Sequence, residues 1–233
     1  MSEGIVRKAT LDDVEGIYDV CCAVELGASK NKKGFLLTQY SAHPEMKEGF
    51  QRNIVEGDVF VYDEGGVRGF LVGYPLSYWK WERGDSLLSD TRYSWDDDAL
   101  RSLGVESVSG LESLVVRDKA AVHPDSSGKG VGPRMLAHYA QLLADRGVDY
   151  QLSAVVEKVW SPDHSLGFIN EASASYQRKI GASRVGETAG SYARDDTFLG
   201  PGARFKDGIY LVRTSDVLNA VGVKDNEMSY HKP

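Results

Sequence analysis

The chain of 233 residues has no run of about eighteen apolar residues, the length a helix needs to cross a bilayer, so no helical membrane span and no membrane partner are expected. Cysteine is almost absent. The two present, Cys21 and Cys22, are adjacent in a stretch that reads as helix. Successive helical side chains diverge, so a bond between them is geometrically poor, and both are expected as free thiols. No Asn-x-Ser/Thr sequon occurs, and the opening MSEGIVRKAT lacks the charged-then-apolar pattern of a secretory signal. The expected compartment is the cytoplasm. Basic residues are in deficit, 27 against 34 acidic ones for a net charge of −7, which argues against a nucleic-acid partner because such binders show a basic face. The same balance is compatible with a cationic substrate. The five histidines (His43, His123, His138, His164 and His231) show no metal-ligand spacing and H-E-x-x-H is missing, so no metal is expected. The G-x-S-x-G nucleophile elbow is missing too.

What is present is ordinary globular composition, 42% hydrophobic and 26% charged, in a chain long enough to bury a substantial core. No internal repeat or linker divides it, so residues 1–233 are expected as a single domain. GIVRKAT alternates like a strand, and Thr10 with Asp13 forms a capping pattern ahead of a helix expected over 11–26. A looser helical segment follows at 43–56. DVFVYDEGGVRGFLVGYPL then reads as a hairpin turning at its glycines. The segment 79–110 has no clear period and is rich in aromatic and acidic residues, so it reads as an insertion or long functional loop. Within it Trp79, Trp81, Trp95 and Asp96–Asp98 are a candidate cation-accepting wall, or simply a solvated acidic loop. LESLVVRDKAAV is a strand. PRMLAHYAQLLADRG is a helix whose Leu136, Tyr139, Ala140 and Leu143 keep one apolar face. A strand YQLSAVVEKV, a short helix EASASYQRKIGA and a late strand IYLVRTS complete the pattern, with a tail from about 216 that reads as a short helix and then disorder.

The most informative stretch is AAVHPDSSGKGVGPRML, 120–136, a strand end, a loop with Gly128, Gly130 and Gly132, and a helix start. Free N–H groups at a helix N-terminus, reinforced by the macrodipole, favour an anion, and glycines let the backbone approach it closely. Pro133 is tolerated in the first turn but removes one donor. A Walker A loop would need Ser or Thr after Lys129, where Gly130 stands, and Gly where His123 stands. In a dinucleotide fingerprint starting at Gly128 the third glycine, Gly132, comes one residue early.

VHPDSSGKGVGPRML resembles instead the acyl-coenzyme A signature of the GCN5-related N-acetyltransferase (GNAT) superfamily: V-x-P at a strand end, then [Q/R]-x-x-G-x-[G/A], then a helix. Val122 and Pro124 match, Gly130 and Gly132 fill the small positions, and Ser127 stands where Gln or Arg is usual. NEASASYQRKIGASRVGE is similar to the family's second signature. The resemblance implies an α/β (α+β) fold with a mixed, mostly antiparallel central sheet, central strands splayed near Val122 and Glu157, and flanking helices. It implies acetyl-CoA as co-substrate, its diphosphate on the amides around Ser127, Gly128, Lys129, Gly130, Val131 and Gly132. The acyl arm would pair with the backbone of Ala121 and Val122, as an added strand does, and Asn170 would contact the pantetheine or pyrophosphate side.

Two catalytic candidates follow. Simple alternation puts Asp118 on one face with Val116, Ala120 and Val122, where a carboxylate among apolar neighbours suits a general base. A structural or substrate-binding acid is the other reading, as is an outward one should a bulge intervene. Tyr176 is the candidate acid for the leaving thiolate. It sits one residue, about 100° of helix, from the family's slot near Gln177, and its i, i+4 relation to Ile180 fits a core tyrosine equally. The expected activity is N-acetyl transfer to a small-molecule, peptide or protein amine, with room for a homodimer. A catalytically silent acetyl-CoA sensor or scaffold and a different α/β nucleotide-binding module are the alternatives.

Overall fold

The computed structural model describes residues 4–28, 34–76, 93–107, 111, 113–188 and 192–222. Within them lie strands β1 (Ile5–Lys8), β2 (Asp58–Asp63), β3 (Val67–Pro75), β4 (Tyr93–Trp95), β5 (Leu114–Val122), β6 (Tyr150–Trp160), β7 (Gly167–Ile169), β8 (Ser183–Thr188), β9 (Tyr192–Arg194) and β10 (Ala203–Arg213). They form one sheet in the order β1-β2-β3-β5-β6-β10-β8-β4, with β7 on β6 and β9 on β10. Every neighbouring pair is antiparallel except β5 with β6, which runs parallel. The helices are α1 (Val14–Val24), α2 (Lys47–Glu56), α3 (Asp97–Ser102), α4 (Val131–Asp145), α5 (Glu171–Lys179) and α6 (Thr214–Ala220).

Local chemistry explains several boundaries. Asp13 accepts a hydrogen bond from the Thr10 amide at 2.8 Å and pairs with Arg7 at 2.7 Å. The helix expected from residue 11 accordingly opens as a 3-10 turn, Leu11–Asp13, before α1. The β2–β3 hairpin turns through Gly65 and Gly66, both at positive φ, which glycine adopts without steric cost. α4 buries Leu136, Tyr139, Ala140 and Leu143 completely, the apolar face its spacing predicts. At roughly 2 kcal/mol per fully buried large apolar side chain, such faces are what anchor the helices to the sheet. α1 and α2 pack on one side through Ile17, Val20, Phe50 and Ile54 against Val59, Val61, Phe70 and Val72. α4 and α6 cover the other side, over Phe60, Leu71, Val115 and Val155.

One expectation is corrected. In the segment read as an insertion or long functional loop, residues 93–107 contain a strand and a helix. β4 pairs with β8, and α3 starts on Asp96, whose carboxylate accepts from the Ala99 amide at 3.0 Å. Asp97 and Asp98 fill the first turn of α3, where acidic groups suit the helix dipole, and Asp98 pairs with Arg101 at 2.5 Å. Local helix chemistry thus accounts for the acidic run, and Leu100 and Val105 are buried in the core. Trp79 and Trp81 lie outside the described residues. The short helix expected at the head of the tail is α6, which begins two residues earlier, at Thr214, and whose Val217 is fully buried. Residues 223–233 also lie outside the description.

The site is positioned by β5 and β6. They pair only over Leu114–Val116 and Tyr150–Leu152, after which the two strands part. β5 stays on β3 as far as Val122, and β6 stays on β10. A gap therefore opens in mid-sheet, as the splayed-strand expectation required.

Candidate active site

The glycine loop stands at the mouth of this gap. A 3-10 turn, Pro124–Ser126, follows β5, and Gly128 and Gly130 take φ of +78° and +76°. A Cβ built on either would meet no atom within 4 Å, so the space in front of the loop is open. Gly130 is the N-cap of α4, leaving the first-turn amides of Val131 and Gly132 without intrahelical partners. Among the described residues the amides of Gly128 and Gly130 likewise have none. Ser127 and Lys129 differ from expectation, because their amides donate to Pro124 O at 3.1 Å and Ser126 O at 3.4 Å. The backbone donor expected at Ser127 is consumed in building the turn. Four amides of the loop and first turn, from Gly128, Gly130, Val131 and Gly132, thus have no backbone partner among the described residues, the donor set an anion site at a helix N-terminus uses.

Behind the mouth a cavity of about 690 Å³ runs into the gap, well within the range of small-molecule sites. Ala121, Val122, Ser127, Gly132, Asn170, Tyr176 and Asp118 all line it, so the structure brings those candidates to one cavity. Gly128, Lys129, Gly130 and Val131 stand outside it at the mouth. The cavity is also bounded by Tyr40, Met46, Tyr93 and Asp207, which no motif in the sequence marked.

Asp118 occupies a different place from the one simple alternation gives. Val72 pairs with Lys119 and Gly73 with Arg117, so Asp118 is the extra residue of a β-bulge. Val116 and Ala121 consequently pack with the α1–α2 core, whereas Val122 packs with Val131 and Met135 of α4. The expected shared face of Val116, Asp118, Ala120 and Val122 does not exist. The bulge leaves the Asp118 carboxylate against the Lys119 ammonium, mostly buried, at the cavity wall.

Tyr176 extends from α5 toward the loop, its hydroxyl donating to Gly132 O at 3.5 Å. Burial raises its phenol pKa and the nearby Arg117 guanidinium opposes that rise. It also packs against the apolar α4 side, so the core reading and the cavity reading hold together. Asn170 caps α5, accepting from the Ser173 amide at 3.4 Å and donating to Phe35 O at 3.2 Å. Both ends of its side-chain amide thus serve the fold, beside the coenzyme contact expected of it.

Sequence reasoning missed Arg117, Ser153 and Gln177. Arg117 is 5% exposed and lines the cavity, and its Nε donates to Ser153 Oγ at 3.1 Å and its Nη2 to Gln177 Oε1 at 2.5 Å. Arg117 opens the charged run Arg117-Asp118-Lys119 inside an otherwise apolar strand, and its partners become visible only in three dimensions.

Among the described residues, no group of three His, Cys, Asp or Glu gathers as a metal site, and no helix is long and apolar enough to cross a membrane. No family model and no curated protein matches the sequence. The structure, by contrast, is similar to solved N-acetyltransferases. The ribosomal-protein-S18-alanine N-acetyltransferase of Escherichia coli superposes with a TM-score of 0.53 at 13% identity, over 98% of this chain and 100% of that one. The polyamine N-acetyltransferase of Drosophila melanogaster, which forms N-acetylagmatine, superposes with a TM-score of 0.53 at 15% identity, over 91% of this chain and 100% of that one. With its mostly antiparallel sheet, parted parallel pair and glycine-loop helix, the chain has the GNAT fold.

Proposed function

We propose that the protein is an N-acetyltransferase that moves an acetyl group from acetyl-CoA to an amine by direct attack, with both substrates bound together. The observation that carries this reading is the parted β5–β6 pair, with four partnerless amides at its mouth and Asp118 and Tyr176 on the wall of the cavity behind. The amides of Gly128, Gly130, Val131 and Gly132 fit a diphosphate, because the loop front is open and a helix N-terminus favours negative charge. On the edge of β5 left by β6, Val122 presents its backbone groups to the pantetheine arm in the manner of strand addition, while those of Ala121 turn to β3.

Asp118, held by Lys119, accepts the proton of the attacking amine, and Tyr176 supplies one to the departing sulfur. The acceptor reaches the gap past Tyr40, Met46, Tyr93 and Asp207. The similar enzymes act on a protein alanine in one case and a polyamine in the other, so both kinds of amine belong in the test. Calorimetric titration with acetyl-CoA should show saturable binding, and thiol release should appear with agmatine, polyamines or a peptide bearing an N-terminal alanine. Absence of binding at millimolar acetyl-CoA would remove the proposal.

A further inference from the structure

Arg117 takes no part in the reading above, yet it stands at the base of the gap, one residue past the last β5–β6 pair. Its side chain crosses from β5 to Ser153 on β6 and Gln177 on α5, while Nη1 is buried with no hydrogen-bond partner among the described residues. The titratable groups facing it are the phenols of Tyr176 on α5 and Tyr139 on α4. On its own strand, Asp118 and Lys119 pair with each other. Among the described residues no carboxylate pairs with Arg117. A buried charge is normally matched by an opposite one, and a guanidinium does not shed its proton near neutral pH. Burial works against its charged form, opposed only by the phenols of Tyr176 and Tyr139 among the described residues. A hydrogen-bonding brace between the strands could be neutral. This one is a cation.

The proposed reaction generates the missing opposite charge at this place. As the nitrogen–carbon bond forms, the carbon–sulfur bond breaks and its electron pair leaves on sulfur. The amine proton passes to Asp118. Negative charge rests on sulfur until Tyr176 protonates it, and then on the Tyr176 phenolate until solvent restores its proton. Tyr176 is already within electrostatic reach of Arg117. Resting on the N-acetyltransferase reading, we propose that Arg117 is a fixed-charge positioning residue for the coenzyme's sulfur, stabilising its thiolate form at the base of the gap.

Binding of free coenzyme A tests this without turnover. A thiol whose pKa falls on binding gains affinity as pH rises from neutrality through the free thiol's own pKa, by about tenfold for each unit of lowering. Calorimetry should show a gain of about tenfold or more for coenzyme A, and none for desulfo-coenzyme A, which has no thiol. Arg117→Met should abolish the gain and leave desulfo-coenzyme A affinity in place. Arg117→Lys should keep part of the gain, and Lys119→Met should keep all of it.

A flat wild-type profile would overturn the inference, as would a gain that survives Arg117→Met or disappears in Lys119→Met. A flat wild-type profile overturns the inference even if the Arg117 variants fail to fold. Binding of both ligands with no pH gain removes this inference alone. Binding of neither removes the N-acetyltransferase reading with it.

Discussion

The two ends of β5 use glycine in opposite ways. At the closed end, Gly73 lies opposite Arg117, and a Cβ there would run into the phenol of fully buried Tyr139. At the open end, Gly128 and Gly130 have nothing in front of them and owe their glycine to positive φ. The first glycine is required because space is filled, the second pair because backbone must turn and stay bare. The closed end is therefore expected to govern stability, and the open end ligand affinity. Between the ends sits the bulge that carries Asp118, where neither packing nor turn geometry but chemistry is at stake.

The largest expected effect lies at that bulge. Asp118→Asn should lower turnover by about a thousandfold, the scale of a general base, with acetyl-CoA affinity unchanged. The amide keeps the shape and loses the proton acceptor. A pH–rate profile unaltered by the substitution would take the role from Asp118. Next comes the closed end. Gly73→Ala should cost roughly 3 kcal/mol in denaturant unfolding, since overpacking a filled core forces side chains and backbone to shift. A loss under about 1 kcal/mol would mean that Tyr139 moves aside easily and that the closed end is softer than its packing indicates.

The open end should respond in the complementary sense. Gly130→Asp should weaken coenzyme A binding about a hundredfold, near 2.7 kcal/mol, by placing a carboxylate where a diphosphate belongs. Its folding penalty should be limited to about 1–2 kcal/mol from the left-handed backbone. Unchanged affinity would refute the cradle. The smallest effect lies away from both ends, where Arg7 holds the Asp13 carboxyl below its ordinary pKa. A depressed carboxyl contributes stability above its unfolded pKa and loses it as pH falls through the folded one. Unfolding measured below about pH 4 should therefore show stability draining with acid, and Asp13→Asn should remove less than about 1 kcal/mol of that dependence. An acid profile identical in the variant would show the pair to be inert.

How much was legible in advance follows from the range of each interaction. The glycine loop could be read because φ above zero is a local demand that residue type answers directly. The apolar face of α4 was equally plain, since Leu136, Tyr139, Ala140 and Leu143 repeat at helical spacing. The bulge at Asp118 was not legible, because no residue type marks which position a partner strand will skip. That single skipped residue moved Lys119 and everything after it on β5 to the other face. Residues 93–107 were misread for a related reason. Asp96 is a good N-cap, but three consecutive aspartates look like a solvated run until β8 supplies the edge that β4 joins.

By itself the sequence determined the alternation of strands and helices, the glycine-led entry to α4, and the short range of chemistries the loop could serve. These depend on dihedral preference and periodicity, which act within a few residues. Only the tertiary structure decided that β5 and β6 part after three pairs, that Ser127 and Lys129 use their amides on the turn itself, and that Arg117 is buried beside two phenols, with no carboxylate pairing it among the described residues. Those outcomes depend on which groups distant in sequence share a volume. Burial, pairing and charge compensation are properties of that volume.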